Sequence, residues 1–236
     1  MKVLVVSFYY EPELGAAPSR ITNLAKGLKS LGMDVDVLTC LPNYPKGKIF
    51  DGYRGRFSMK ETIDGINVFR YWTYATVSKN PIKRVLAMTS YAVSMWAFAF
   101  RRKLLKSYDR VIVQSPPIMV SASAVLLFKK LFGKNTILNV SDLWPGSAVE
   151  LGFVRKGSLF HKVLSFFERF IYRNADSVVG QSQEIVDHVC RMFPGKPTFL
   201  YRNLQPVEKA TDTVRAKNAK LKIVYAGLFG VAQYML

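Results

Sequence analysis

The sequence predicts an α/β fold built on a doubly wound parallel sheet. Strand-like and helix-like runs alternate along most of the 236 residues, which is the order that parallel strands with helical crossovers require. The strand-like runs are continuous stretches of valine, isoleucine and leucine, as in MKVLVVS and RVIVQ, and such runs are typical of strands buried on both faces. No G-x-G-x-x-G fingerprint follows the first run, which disfavours a nicotinamide-dependent oxidoreductase.

The first half of the chain sets this pattern. Lys2–Ser7 is a predicted strand, and the helix after it has Pro18 in its first turn and Gly32 beyond its end. Asp34–Cys40 is a second strand, and Asp64-Gly65 marks the turn of a hairpin. Further strands are predicted at Arg110–Gln114, Thr136–Val140, Ser177–Gln181 and Thr198–Tyr201, with helices at 81–106, 117–132, 157–174 and Gln183–Met192.

The pattern changes after Asn203. Residues 1–204 are expected to form one domain, and the polar stretch 205–222 is expected to be a linker. Residues 223–236 contain KIVYAGLFG, which has the character of another first strand and glycine turn. We therefore expect 223–236 to be the beginning of a second domain.

The chain is strongly basic. Its 34 Lys and Arg against 16 Asp and Glu give a formal net charge of +18, which favours an anionic partner such as a phosphorylated substrate, phospholipid or nucleic acid. No recognised nucleic-acid module accompanies the basic residues, so nucleic acid is not expected as a partner.

Ligands of doubly wound sheets bind at the carboxyl ends of the strands, so the turns that follow the strands are the candidate sites. After the first strand, Gly15 and Ala16 would let a phosphate or a carboxylate approach the amino end of a helix. Arg20 could hold the same phosphate through two hydrogen bonds. The alternatives are small residues in a tight turn and an exposed helical arginine. Glu11 and Glu13 are expected to be solvated charges that favour the amino end of the helix.

The turn after Val140 reads SDLWPGSAVELG. Asp142 is the candidate catalytic residue, because a carboxylate at a strand end can accept a proton or hold sugar hydroxyls. Trp144 offers a flat apolar face on which a sugar can pack. The alternatives are that Asp142 caps a helix and that Trp144 fills the core.

Two other turns supply further substrate-binding candidates. Asn43 and Tyr44 lie in PNYP, and Ser115, in QSPP, is a substrate contact or a helix cap. His161 and His188 lie on predicted helices without a matching ligand cluster, so no metal site is expected.

The segment 79–107 contains seven Lys or Arg and no acid around the uncharged stretch Val85–Phe100. These 16 residues are fewer than the roughly 20 that span a bilayer. An interfacial helix on anionic headgroups, a transmembrane helix and a core helix packed on the sheet all stay open. The candidate membrane contacts are Lys83, Arg84, Trp96, Phe100, Arg101 and Arg102.

These motifs, in their order along the chain, resemble one family. YYEPELGAAPSR, NYPKGKIFDGYRG, DGINVFRYW, QSPP, SDLWPGSAVELG and VYAGLFGVAQ are similar to segments of bacterial glycosyltransferase family 4 enzymes of capsule and O-antigen synthesis, near the N-acetyl-fucosamine transferases. The resemblance implies a GT-B fold, in which two Rossmann-like domains flank the active site. This chain would be the N-terminal, acceptor-side half, since the E-x7-E pair of the donor-binding half is not in the sequence.

The resemblance also implies the chemistry. Such enzymes transfer a sugar, with retention and without a metal or other cofactor, from a nucleotide sugar to a polyprenyl-diphosphate-linked acceptor. An N-acetylhexosamine on UDP is the donor we expect, at the inner, cytoplasmic face of the cell membrane. Alone, the chain would transfer sugar poorly. The alternative is a non-catalytic, membrane-associated acceptor-binding subunit that needs a separate donor-binding chain.

Overall fold

The computed structural model describes residues 1–78 and 80–203. Its strands are β1 (Lys2–Val6), β2 (Asp34–Cys40), β3 (Ser58–Ile63), β4 (Ile66–Tyr71), β5 (Arg110–Ser115), β6 (Asn135–Val140), β7 (Ser177–Gly180) and β8 (Thr198–Leu200). They form one sheet in the order β3-β4-β2-β1-β5-β6-β7-β8, parallel throughout except for the antiparallel β3–β4 pair. The predicted α/β class and the predicted hairpin are confirmed.

The helices are α1 (Ala16–Ser30), α2 (Pro81–Ser94), α3 (Arg102–Ser107), α4 (Ile118–Ala124), α5 (Gly146–Glu150), α6 (Leu159–Asn174) and α7 (Gln183–Met192). A 3-10 helix, Met95–Phe100, follows α2, and a π-helical stretch, Val125–Leu131, extends α4. The predicted single helix over 81–106 is wrong, because the backbone leaves the helical region at Arg101. The short helix α5 was not predicted.

Helices cover both faces of the sheet. Ile21 and Ala25 of α1 pack on one face, against side chains of β1, β2 and β4. The other helices pack on the opposite face, where Phe98 from the 3-10 helix contacts the rings of Phe69 and Phe128. Phe98 is fully buried within the 3-10 helix, just before the break at Arg101.

The β3–β4 hairpin turns at Asp64 and Gly65, both with positive φ, as a two-residue turn of this hand requires. Arg70 of β4 is fully buried and forms an ion pair with Glu61 of β3. It also donates to the carbonyl oxygens of Glu11 and Cys40. Arg70 therefore fixes the hairpin to the turns that follow β1 and β2.

The predicted end of the first domain at residue 204, the linker 205–222 and the second-domain segment 223–236 lie outside the described residues.

Candidate functional site

The turns after β1, β5 and β6 lie next to one another at the carboxyl ends of these central strands. The chain moves from β1 to β2 on one side and returns through β5 on the other side of β1. This change of direction opens a crevice at the carboxyl ends of β1 and β5, where ligands of doubly wound sheets bind.

An apolar pocket of about 210 Å³ lies at this crevice. Its lining includes Arg20, Gln114, Ser141 and Trp144, together with apolar side chains of α2, α4 and α6, namely Val85, Met88, Ile118, Met119, Phe160 and Leu164. The sequence-based candidates Arg20 and Trp144 thus share one pocket. Most of the wall is hydrocarbon, so the pocket suits the apolar part of a ligand.

Arg20 is the cation of this pocket. Its Nη1 donates to Oε1 of Gln181, just after β7, at 3.0 Å, and its Nε donates to the Ala16 carbonyl at 3.3 Å. Burial lowers the pKa of Arg20, an effect that the charge of Asp142 opposes, and the guanidinium stays protonated. Within residues 1–78 and 80–203 no carboxylate forms a salt bridge with it. The charge is therefore available to an anionic ligand.

Asp142 and Trp144 come from the same turn after β6. The Asp142 carboxylate accepts from Nε1 of Trp144 at 3.2 Å and from Oγ of Ser147 at 2.5 Å. It lines a second, polar cavity, whereas Trp144 lines the apolar pocket. Ser141 borders both spaces, so the turn Ser141–Pro145 separates them.

Gln114 and Ser115 end β5 beneath this turn. Ser115 is buried, and its carbonyl oxygen accepts from the Ser141 amide at 2.9 Å. Gln114 Nε2 donates to Ser141 Oγ at 3.0 Å, while its Oε1 accepts from Asn139 at 2.8 Å. Sequence reasoning missed Gln114. The signal was a polar residue directly after the apolar run Val111–Val113 of this strand.

Glu13 was expected, with Glu11, to be a solvated charge near the amino end of α1, and this expectation is wrong for Glu13. It is 3% exposed, and its carboxylate accepts the backbone amides of Asn43, Tyr44 and Tyr10 at 2.8, 2.9 and 3.3 Å. Burial raises the pKa of Glu13 even though the three amides oppose the rise. Glu13 thus joins the turn after β1 to the turn after β2.

The remaining candidates lie on these two turns. Gly15 has φ of +133°, and a Cβ at this position would lie 3.1 Å from Cε1 of Tyr44. Gly15 and Ala16 are exposed, and Tyr44 is partly exposed and edge-on to Tyr9. Asn43 is buried, and its amide donates to the Leu41 carbonyl at 3.0 Å.

The candidate membrane contacts lie on α2, the 3-10 helix and α3. Lys83, Arg84, Phe100, Arg101 and Arg102 are exposed, whereas Trp96 is half-buried and donates from Nε1 to Ser123 Oγ at 2.7 Å. Beside Trp96 runs an apolar groove between α2, α4 and α6, lined by Val93, Met119, Leu126, Phe166, Phe167 and Phe170. In the described part of the chain, no helix combines the length and the apolar character needed to cross a bilayer.

Among residues 1–78 and 80–203, no group of three or more His, Cys, Asp or Glu side chains is arranged to hold a metal ion.

The fold is that of a GT-B glycosyltransferase domain. The structure is similar to sucrose-phosphate synthase from Thermosynechococcus elongatus, with a TM-score of 0.57 and 13% identity over 85% of this chain and 47% of that one. It is also similar to the catalytic domain of starch synthase IV from Arabidopsis thaliana, with a TM-score of 0.51 and 10% identity over 84% of this chain and 51% of the other.

The chain belongs to the family described as "Glycosyl transferase 4-like domain", which matches residues 15–199. It is 28% identical over 190 residues to WcaI of Escherichia coli (strain K12), which is named as a colanic acid biosynthesis glycosyl transferase. The match covers 79% of this chain and 46% of WcaI. The chain thus spans about half the length of this relative, and the family resemblance stated from the motifs is confirmed.

Proposed function

We propose that this domain forms the acceptor side of a retaining glycosyltransferase of surface polysaccharide synthesis. The enzyme would transfer a sugar from a nucleotide sugar to a polyprenyl-diphosphate-linked acceptor. The observation that carries this proposal is Arg20, a cation on the wall of an apolar pocket that forms no salt bridge with a described carboxylate. This combination suits a ligand in which a phosphate is joined to a hydrocarbon chain. The Arg20 guanidinium can bind the phosphate, and the apolar wall of the pocket can contact the hydrocarbon.

The apolar pocket and the apolar groove share Met119. We propose that an isoprenoid chain that starts beside Arg20 passes Met119 and continues between α2, α4 and α6 toward Trp96. Exposed Lys83, Arg84, Arg101 and Arg102 would hold this face on anionic headgroups. We accordingly propose a peripheral location on the inner face of the cell membrane.

Asp142 is the proposed catalytic residue of this half. Its carboxylate is positioned by Trp144 and Ser147, and it would accept a proton from, or hold, a sugar hydroxyl. The Trp144 ring would pack on a sugar face. Gly15, Ala16, Tyr44, Asn43 and Ser115 stay proposed substrate-binding residues, with Asn43 and Ser115 acting from buried positions.

The donor would bind mainly to a second GT-B domain. This part of the proposal is supported by the extent of the match, since the chain spans 46% of WcaI. An N-acetylhexosamine such as N-acetyl-fucosamine, carried on UDP, is the proposed donor, and no metal takes part.

The test is a chimaera in which the donor half of WcaI follows this chain. With a panel of radiolabelled nucleotide sugars, since the WcaI half would select the donor, and with polyprenyl-diphosphate-linked N-acetylglucosamine as acceptor, the chimaera should form a radiolabelled disaccharide lipid that the 236-residue chain alone does not form. Acceptor binding by both proteins without transfer by either would favour the non-catalytic acceptor-binding subunit. Rapid transfer by the chain alone would contradict the division of labour between two halves.

A further inference from the structure

A polar cavity of about 500 Å³ lies on the other side of the Ser141–Pro145 turn, between α6 and α7. We call it the α6–α7 cavity. α6 contributes His161, Ser165 and Glu168, and α7 contributes Glu184, His188 and Arg191. Its size is within the usual range for small-ligand sites.

The two sides of α6 differ in polarity. Phe160 and Leu164 line the apolar pocket, whereas His161, Ser165 and Glu168 line the α6–α7 cavity. The spacing of three and four residues puts each set on its own side of the helix. The apolar pocket and the polar cavity are therefore adjacent spaces with α6 and the Ser141–Pro145 turn between them.

The charge of the cavity is opposite to that of the chain. Four of the 16 acidic residues line it, Asp142, Glu150, Glu168 and Glu184, against one arginine, Arg191. In a protein of net charge +18, this space carries a local excess of negative charge. It disfavours phosphate and carboxylate ligands, and it offers many acceptors to hydroxyl or ammonium donors.

Glu168 is the buried member of this set. Its side chain is 8% exposed, and Oε1 lies 3.1 Å from Nε2 of His188. Burial raises the pKa of Glu168, and His188 opposes the rise. A buried carboxylate costs free energy unless it is hydrogen-bonded, and His188 supplies that bond from the cavity wall.

We propose that the α6–α7 cavity binds the saccharide part of the acceptor, as an uncharged or amino sugar. The inference rests on the proposed function, which supplies a carbohydrate ligand. Carboxylates and serines of the cavity accept hydrogen bonds from the sugar hydroxyls, and Arg191 donates to them. The lipid and its phosphate occupy the apolar pocket beside Arg20, and the linkage from the phosphate to the saccharide passes Trp144 and then Ser141, which borders both spaces.

The sequence offers a site-specific probe. His161 and His188 are its two histidines, and both line this cavity. Imidazole NMR signals of the full 236-residue chain therefore report on the α6–α7 cavity. Methyl β-D-glucopyranoside, glucosamine and glucuronate are the probes, as matched uncharged, cationic and anionic sugars.

The first two sugars should shift both histidine signals saturably. Glucuronate should bind about tenfold more weakly or worse, because its carboxylate meets the local negative charge. Glu184→Gln should weaken glucosamine binding, whereas Asp51→Asn, which removes an exposed acid paired with Arg54, should leave it unchanged. Glu168→Gln is a second substitution inside the cavity, and it tests the loss of glucosamine binding independently of Glu184→Gln.

Histidine signals that do not move, or that respond at least as strongly to glucuronate, would overturn the inference. So would equal affinities of the Glu184→Gln and Asp51→Asn chains for glucosamine. These outcomes are separable from failure of the proposed function. Lost sugar binding with intact transfer by the chimaera removes only the cavity assignment, and lost transfer with intact sugar binding removes the enzyme assignment.

Discussion

Arg20 reaches from α1 across the crevice to Gln181, which follows β7. Its guanidinium is half-buried, and its acceptor on Gln181 is an uncharged amide oxygen, so the contact positions the positive charge without neutralising it. Glu13 behaves in the opposite way. Its charge is held by three backbone amides and is not available to a ligand.

Replacing Arg20 with Gln should weaken acceptor binding at least tenfold, because a charge-assisted contact to the diphosphate is lost. Arg20→Lys should recover only part of the affinity, since lysine cannot form two parallel bonds. Binding can be followed by fluorescence with a labelled polyprenyl diphosphate. Arg54→Gln, on the surface loop before β3, is the matched control. Equal affinities of the Arg20→Gln and Arg54→Gln chains would contradict the assigned role.

Replacing Glu13 with Ala should lower the free energy of unfolding by about 2–3 kcal/mol, because buried amides of two turns lose their acceptor. Urea unfolding followed by tryptophan fluorescence measures this change. Glu184→Ala, an exposed acid on α7, is the control and should change the stability far less.

Glu13 should also give a pH dependence of a definite sign. Its folded-state pKa is raised, so its contribution to stability is largest below the ordinary pKa and declines as pH rises through the raised value. A Glu13→Gln chain lacks this titration. Between about pH 4 and pH 7, it should lose less stability than the parent chain, and an equal loss would show that Glu13 titrates normally.

At the scale of elements, the segment from α2 to α3 has two faces. Tyr91, Met95, Phe98 and Leu105 are buried in the core, while Phe100, Arg101 and Arg102 face outward. One side of the segment therefore packs in the core, and the exposed side is the surface for which we propose membrane contact. The break at Arg101 places an aromatic ring beside two exposed cations.

The triple variant Phe100→Ser, Arg101→Glu, Arg102→Glu should bind vesicles of phosphatidylglycerol and phosphatidylcholine at least tenfold more weakly than the parent. It removes one apolar anchor and reverses two charges, each worth about 1 kcal/mol near an anionic surface. Co-sedimentation measures the bound fraction. The double variant Lys48→Glu, Arg56→Glu, in the loop between β2 and β3, is the charge-reversed control. An equal drop for both variants would indicate a nonspecific charge effect.

At the scale of the whole molecule, the positive charge of +18 is distributed unevenly. The cavity between α6 and α7 is locally acidic, while the face with α2 and α3 is basic. An anionic surface would therefore orient the molecule as well as attract it.

Binding of the parent chain to those anionic vesicles should decrease steeply between about 0.05 and 0.5 M salt, as the Debye length shortens. Glucosamine binding in the α6–α7 cavity should change less, because salt screens the attraction between the ligand's ammonium group and nearby, partly buried carboxylates less strongly. Vesicle binding that is insensitive to salt would mean that apolar contacts alone hold the protein on the membrane.

The sequence predicted the strands well, because buried parallel strands are continuous apolar runs. The strand Asp34–Cys40 agrees with the structure to the residue, as does the helix Gln183–Met192. It could not predict the burial of Glu13 or the break before Arg102, since both depend on partners that are distant along the chain. Arg20 and Trp144 were found from their turns, whereas the α6–α7 cavity joins helices whose residues showed no motif.

The helix α6 carries a practical consequence. Substitutions at Phe160 and Leu164 should tune which hydrocarbon anchor is tolerated, while substitutions at Ser165 and His161 should tune which glycan is tolerated. Two libraries on one short stretch of backbone could thus be screened separately and then combined. Randomising Trp144, by contrast, would disturb both preferences at once.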